Sequence, residues 1–163
     1  MSSFAIRPAQ PKDTAAIFSL IVELAEYEKL AHEVTGSAAQ LHTHLFGDRP
    51  CIEALLAEVN NIPAGFALYF PTYSTFLTAP GIYLEDLYVR PQFRRMGIGK
   101  TFFAQLAQIT LERGFKRLEW AVLDWNKPAI AFYQSMGSVP LSEWTKHRVA
   151  GTALADLARG ELT

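Results

Sequence analysis

The sequence predicts an α/β fold, a mixed sheet with helices on both faces, in the element order β-α-α-β-β-β-α-β-α-β. Apolar residues change along the chain from helical spacing to strand-like runs and back, which predicts both kinds of element. Residues 60–63 have the composition of a hairpin turn between two apolar runs. Farther on, a helical pattern separates two strand-like runs, and this order predicts a right-handed crossover between parallel strands.

The first third of the chain predicts one short strand and two helices. Residues 4–7 alternate in polarity as a strand does. Pro11 suits the first position of a helix that is predicted to end near residues 27–29. Ser37 suits the cap of a second helix over 37–46. One face of the first helix is apolar and is formed by Ile17, Leu20, Ile21 and Leu24.

Strand-like runs dominate the middle of the chain. We expect strands over residues 51–59 and 64–70, joined by the asparagine turn and therefore antiparallel. Residues 71–80 are rich in Pro, Thr and Ser and predict a loop. A central strand is expected over 81–89, where aromatic and aliphatic residues alternate with acidic ones.

The last part of the chain returns to helices. A helix is predicted to run to about Arg113, and a parallel strand over 117–123 follows it. A short helix is expected over 128–136. Residues 139–149 predict one or two final strands, and 151–162 predict a small terminal helix or tail.

Composition limits the kind of protein and its partners. The 163 residues, 50% of them hydrophobic, are enough for one well-filled core and predict a single domain over 1–163. Fifteen basic and sixteen acidic residues leave a net charge of −1, which does not favour nucleic acid or membrane binding. With one cysteine, Cys51, and no leader-like segment, the sequence favours a reducing, cytoplasmic setting.

The segment 83–101 carries the clearest functional signal, because it is patterned as a strand, a tight basic turn and a helix. The first turn of a helix has free N–H groups and a partial positive charge, which together bind anions. Arg94, Arg95 and Lys100 add cations, and the glycines Gly97 and Gly99 permit close approach of a ligand to the backbone. The sequence therefore predicts a diphosphate-binding turn.

Three glycine patterns compete for this turn. The nucleotide P-loop requires a glycine at the position that Arg94 occupies. The dinucleotide pattern G-x-G-x-x-G requires a third glycine where Phe102 stands. The pattern R-x-x-G-x-G is complete, with Arg94, Gly97 and Gly99 in register between a strand and a helix.

At these residues the sequence resembles the GNAT superfamily of acetyl-coenzyme A dependent N-acetyltransferases. The segments 24–28, 83–89 and 126–133 resemble in particular the diamine (spermidine/spermine) acetyltransferase branch. The resemblance implies the GNAT acyl-CoA N-acyltransferase fold, acetyl-CoA as co-substrate, no metal, and a homodimer. It also implies that the following residues contact the coenzyme: Leu87, Tyr88, Val89, Arg94, Arg95, Met96, Gly97, Ile98, Gly99, Lys100, Asn126, Lys127, Pro128, Ala129 and Tyr133.

Acyl transfer to an amine sets the remaining requirements. An alkylammonium group has a pKa of about 10, so a base must remove a proton before the nitrogen can attack. Glu85, on the central strand, is the candidate base, and it also attracts a cationic substrate. The resemblance assigns Tyr133 as the proton donor to the departing thiolate. Tyr27 and Glu28 are further substrate-binding candidates.

The acceptor remains open at the level of sequence. Acidic residues favour a polyamine, a diamine or a lysine-like amino acid, and a protein amine or an aminated antibiotic are alternatives. A noncatalytic acyl-CoA-binding or sensing module on the same fold is the rival of a different class. His42 and His44 share an H-x-H spacing, but no cysteine or carboxylate cluster accompanies them, so no metal site is predicted.

Overall fold

The structure is a computed structural model that describes residues 3–160. The chain folds as two compact units, one up to Ala121 and one from Val122. The first unit contains the whole sheet, and the second contains two helices. A single functional domain over residues 1–163 stays a prediction.

The sheet has five strands in the order β1-β2-β3-β4-β5. Neighbouring strands are antiparallel except for the last pair, β4 and β5, which is parallel. This confirms the mixed sheet, the antiparallel strands before the central strand and the parallel crossover after it. The strands are β1 Phe4–Pro8, β2 Glu53–Val59, β3 Ile62–Ser74, β4 Ala79–Val89 and β5 Leu118–Trp120.

Two hairpins join β2, β3 and β4. At the first, Asn60 and Asn61 have φ of 50° and 63°, a conformation that asparagine tolerates better than most residues. The loop predicted over 71–80 is confirmed only for residues 75–78, which form a turn. It is wrong on either side, because Thr72 pairs with Gly81 and the β3–β4 ladder continues to its last pair, Ser74 and Ala79. The polar composition of this segment suits an exposed ladder as well as a loop.

Helices cover both faces of the sheet. Helices α1, Thr14–Tyr27, and α2, Ala38–Phe46, pack on one face, where their apolar residues join Leu56, Phe66 and Tyr88 in one core cluster. Alternate strand residues such as Leu55 and Ala67 are equally buried but lie outside this cluster, so they face the other side. Helix α3, Ile98–Glu112, packs against β4 and buries Ile98, Phe102, Phe103, Leu106 and Thr110.

The second unit departs from the predicted element order at its end. It contains α4, Lys127–Ser135, and α5, Gly151–Arg159. The final strand predicted in 139–149 is wrong, since the described residues there form no strand. Pro140 lacks a backbone donor, and the Trp144 N–H donates to the Leu141 carbonyl at 3.2 Å, so a turn interrupts the apolar run. Within residues 3–160, no helix has both the length and the apolar content needed to cross a membrane.

Candidate active site

Strand β4 is longer than its parallel neighbour β5. The ladder pairs residues 82–84 of β4 with Leu118–Trp120, and β4 continues to Val89. The described ladders assign no strand to that edge of residues 85–89. The described ladder between the two strands therefore ends at Leu84, and beyond it the β4 backbone is suited to pairing with an extended ligand.

A β-bulge lies at Glu85. In the β3–β4 register Leu68 faces Asp86 and Tyr69 faces Leu84, so no residue of β3 faces Glu85. The extra residue reverses the alternation of side chains, because Tyr88 belongs to the core beneath α1 and α2 and Leu84 does not. Bulges re-aim side chains and are common beside active sites. This bulge places Asp86, like Tyr88, on the α1 face.

Three carboxyl groups lie close together at this bulge. Glu85 is exposed, while Asp86 and Glu28, which directly follows α1, are half-buried. Burial, then the charges of Glu85 and Glu28, raise the pKa of Asp86 to about 6. Burial also raises the pKa of Glu28. We call these residues the acidic cluster; its shared negative charge favours an ammonium group.

Sequence reasoning selected Glu28 and Glu85 as site residues but not Asp86. The structure brings all three near each other, and Asp86 has the most perturbed carboxyl group of them. Its position next to Glu85 in the sequence was a visible signal. Its burial depends on the bulge and on the packing of α1 against β4, which the sequence pattern did not predict.

Arg94 and Tyr27 meet beside the acidic cluster. The guanidinium carbon of Arg94 lies 5.0 Å from the ring centroid of Tyr27 and 5.8 Å from that of Tyr88. Its Nε donates a hydrogen bond of 2.9 Å to the Val89 carbonyl. The predicted coenzyme residue and the predicted amine residue are thus in direct contact. These distances fit cation–π attraction to both rings.

The turn after β4 has the backbone geometry of an anion site. Arg95 and Gly97 have φ of 65° and 90°, and α3 begins at Ile98. The first helical bond runs from the Thr101 N–H to the Gly97 carbonyl at 2.9 Å. By helix geometry the N–H groups of residues 98–100 precede any intrahelical acceptor and point out of the helix end.

The turn places charged side chains at the surface and an apolar side chain in the core, as an anion site requires. Arg95 and Lys100 are exposed, whereas Ile98 is buried beneath the first turn and holds the helix end on the sheet. A Cβ added at Gly97 meets no atom within 4 Å. The positive φ, not crowding within the protein, is therefore what requires glycine at this position.

We expect Gly97→Val to weaken CoA binding at least about 10-fold, because a branched residue at φ 90° reorients the N–H groups of the turn. Isothermal titration with CoA measures this. Gly114→Val is the matched control, since Gly114 has φ 70° and equally open surroundings at the other end of α3. Both variants should lose similar stability. Equal CoA affinity in the two variants contradicts the role of the turn.

Arg90 fixes the end of β4 to α1. Its Nη2 lies 2.7 Å from Oε1 of Glu23, and its Nη1 donates to the Pro63 carbonyl at 2.7 Å. This ion pair raises the pKa of Arg90. The charged contact ties the strand end, the first hairpin and α1 together directly before the turn. Arg90 therefore helps to orient the turn over residues 94–97, which is predicted to bind the diphosphate, relative to the acidic cluster.

The remaining predicted coenzyme residues lie in the second unit, on α4 and its cap. The side-chain oxygen of Asn126 accepts from the Ala129 N–H at 3.4 Å, and Lys127 and Pro128 open the helix. Tyr133 is half-buried and lies one turn after Ala129, on the same face of α4. The coenzyme contacts of these residues and the role of Tyr133 as acid stay predictions.

Within residues 3–160, no group of three or more His, Cys, Asp and Glu side chains is arranged to hold a metal ion. His42 makes other contacts. Its Nδ1 lies 3.1 Å from the Thr14 hydroxyl, and its ring lies 5.5 Å from that of Phe46. These contacts give His42 a packing role between α1 and α2.

A stretch of β4 without a partner strand in the described ladders, a helix terminus with free N–H groups and an acidic cluster are the features expected of a CoA-dependent acyltransferase. Residues 11–137 match the family model described as the Acetyltransferase (GNAT) family, and the chain belongs to this family. It is 39% identical over 169 residues to thialysine N-epsilon-acetyltransferase of Mus musculus, covering 97% of this chain and 99% of that protein. It is 34% identical to the human spermidine/spermine N(1)-acetyltransferase-like protein 1, over 97% of this chain and 24% of that protein.

A solved structure supports the same fold. An integron cassette protein from the mobile metagenome of V. cholerae aligns with a TM-score of 0.81 at 24% identity, over 98% of this chain and 99% of that one. Together the comparisons confirm the predicted GNAT fold and the resemblance to the diamine branch. They also confirm the enzyme class: the protein is an N-acetyltransferase.

Proposed function

We propose that this acetyltransferase transfers the acetyl group of acetyl-CoA to a primary amine of a small cationic molecule, by direct attack within a ternary complex. The observation that carries this proposal is the acidic cluster of Glu28, Glu85 and Asp86 beside the open edge of β4. A protonated amine is the natural ligand of clustered carboxylates. The names of the relatives, one acting on thialysine, support a small amine as acceptor.

Acetyl-CoA fits the site along β4 and the turn. The backbone of Leu87 and Val89 can pair with the extended pantetheine chain, and the N–H groups of residues 98–100 can bind the diphosphate. Exposed Arg95 and Lys100 add charge to that binding. The residues Asn126, Lys127, Pro128 and Ala129 complete the proposed coenzyme contacts. No metal has a part in this scheme.

The proposed reaction requires one proton acceptor and one proton donor. The ammonium group loses a proton to the acidic cluster, with Glu85 as the base acting directly or through a water molecule. The free nitrogen attacks the thioester carbon, and a backbone N–H near Val89 stabilises the oxyanion. The C–S bond then breaks as the thiolate takes a proton from the Tyr133 hydroxyl. The attacking nitrogen passes its second proton to the resulting tyrosinate, which leaves a neutral amide, free CoA thiol and a restored phenol. Asp86 keeps negative charge beside the bound amine.

Two acceptor classes share this chemistry, namely polyamines or diamines and lysine-like amino acids. The mouse relative, a thialysine N-epsilon-acetyltransferase, supports the second class, and the human spermidine/spermine-like relative supports the first. Both classes present a primary amine on a flexible alkyl chain. The acidic cluster recognises that shared group.

A panel of amines incubated with acetyl-CoA tests the function, with free-thiol release as the readout. Thialysine, lysine, ornithine, spermidine and putrescine represent the two classes, and an aminoglycoside and a peptide amine represent the alternatives. We expect release with at least one alkyl diamine or lysine-like acceptor and acetylation of its terminal nitrogen, which mass spectrometry locates. CoA binding without release for any amine favours a noncatalytic acyl-CoA-binding module instead.

We infer in addition a homodimer in the cytoplasm. The homodimer is supported by resemblance to the diamine acetyltransferase branch, and the reducing setting by the single free cysteine, Cys51. Light scattering with size-exclusion chromatography measures the mass of the 18.2 kDa chain in solution.

A further inference from the structure

Arg94 belongs to the turn over residues 94–97, called the coenzyme turn here because it is proposed to bind the diphosphate. Its side chain contacts Tyr27 at the end of α1. Arg94 follows the short 3-10 helix Pro91–Phe93 that leads out of β4. Its guanidinium contacts the ring of Tyr27 at 5.0 Å and that of Tyr88 at 5.8 Å, and its Nε bonds to the Val89 carbonyl. The Arg94 side chain thus joins the end of β4, which is near it in sequence, to the end of α1, which is far from it.

The contact between Arg94 and Tyr27 lies next to residues that are proposed to bind the amine. Tyr27 is the last residue of α1 and is 41% exposed, and the Arg94 guanidinium is one of its contacts. Glu28 follows it, and the charge of Glu28 contributes to the raised pKa of Asp86. Tyr27, which contacts Arg94, is therefore the direct chain neighbour of a member of the acidic cluster.

Arginine suits this contact better than lysine does. A planar guanidinium can stack on aromatic faces while its Nε donates to a carbonyl, whereas an ammonium group cannot do both with the same geometry. Tyr88 is buried in the core, so it supplies a rigid surface below the guanidinium. The Tyr27 ring contacts the guanidinium as a second aromatic surface.

We propose that Arg94 is a positioning residue for the amine, acting through Tyr27, so that the coenzyme turn and the amine-binding residues move together. This inference rests on the proposed function. Because equilibrium coupling between two sites is reciprocal, coenzyme binding at the turn strengthens amine binding at the acidic cluster, and amine binding strengthens coenzyme binding. Arg94 has this role in addition to any contact with the diphosphate.

A double-mutant cycle tests the proposal, with the amine KM measured for the native chain, Arg94→Lys, Tyr27→Leu and the double variant. We expect Arg94→Lys to raise the amine KM about fivefold when Tyr27 is present and less than about twofold in the Tyr27→Leu background. Tyr27→Phe keeps the ring and should keep the full dependence on Arg94. Arg95→Lys is the matched control in the turn, and it should affect acetyl-CoA binding without raising the amine KM.

Hydrogen exchange of the free protein supplies a readout independent of activity. Amides of residues 24–30 should exchange faster in Arg94→Lys than in the native chain or in Arg95→Lys. Equal exchange in the three proteins overturns the proposal. KM effects of Arg94 and Tyr27 that multiply independently also overturn it, and so does a rise in the acetyl-CoA KM alone. If the native chain acetylates no amine, the proposed function fails, and the exchange comparison still decides whether Arg94 holds the end of α1.

Discussion

Tyr133→Phe is expected to lower kcat about 100-fold while CoA affinity changes little. The phenol is proposed to protonate the departing thiolate, and loss of a general acid typically costs two to four orders of magnitude in rate. The ring is retained, so its half-buried packing on α4 beside Phe132 persists. Steady-state kinetics and calorimetric titration with CoA measure the two effects separately.

Tyr73→Phe is the matched control for this experiment. It removes the same hydroxyl from an exposed tyrosine on the β3–β4 hairpin, outside the proposed site. It should leave kcat within about twofold of the native value, as expected for a surface change. Unchanged turnover in Tyr133→Phe removes that residue as the acid. Equal loss of CoA affinity and turnover indicates a structural role instead.

Asp86→Asn is expected to stabilise the fold at pH 7 and to lower kcat/KM for the amine about 10-fold. The carboxyl of Asp86 has a pKa of about 6 in the folded chain, against 3.8 for an unperturbed aspartate. The folded state therefore holds this proton more tightly, and the native protein loses stability as pH rises from about 4 to 6. The amide carries no charge and avoids this loss, which amounts to about 3 kcal/mol at most.

Unfolding by urea at pH 4 and pH 7 measures the stability difference between Asp86→Asn and the native chain. We expect the difference to be near zero at pH 4 and fully present above pH 6. Glu85→Gln is the comparison variant, because Glu85 is adjacent in sequence but exposed, so its removal should change stability little. Identical stability of the native chain and Asp86→Asn at pH 7 contradicts the burial of a charged Asp86.

The pH profiles of activity separate the two carboxyl groups. If Glu85 is the base, the rate deficit of Glu85→Gln shrinks as pH rises, because free amine becomes available without a base. A deficit that is constant with pH assigns Glu85 to attraction or positioning of the substrate. For Asp86→Asn we expect the inflection near pH 6 to disappear from the profile of kcat/KM.

Local features of the fold could be predicted from the sequence because the signals that determine them are local. A few adjacent residues specify each of three such features. These are the Asn60-Asn61 turn, the Ser37 cap, whose hydroxyl accepts from the Gln40 N–H at 3.2 Å, and the glycine at φ 90° directly before α3. The same holds for the coenzyme turn, where R-x-x-G-x-G follows a strand. The identities of residues 94 and 102 alone distinguish this turn from the P-loop and dinucleotide patterns.

Other features depend on pairing between distant segments and were missed or mistaken. The ladder beyond Phe70 was mistaken for a loop because its polar residues lie on an exposed hairpin. One or two final strands were expected over residues 139–149, but a strand also requires pairing with a partner, and in the described sheet these residues pair with no strand. Apolar residues alone do not specify that partner.

By itself the sequence determined the mixed sheet, the turn that suits a diphosphate and the family resemblance, since these depend on spacing along the chain. The tertiary structure alone decided which side chains share the site. The bulge at Glu85 aligns Asp86 with the end of α1, and the contact of Arg94 with Tyr27 joins residues 67 positions apart. The physical reason is that burial and charge coupling depend on distance in space, and β4 and α1 become neighbours only when the sheet and its helices pack.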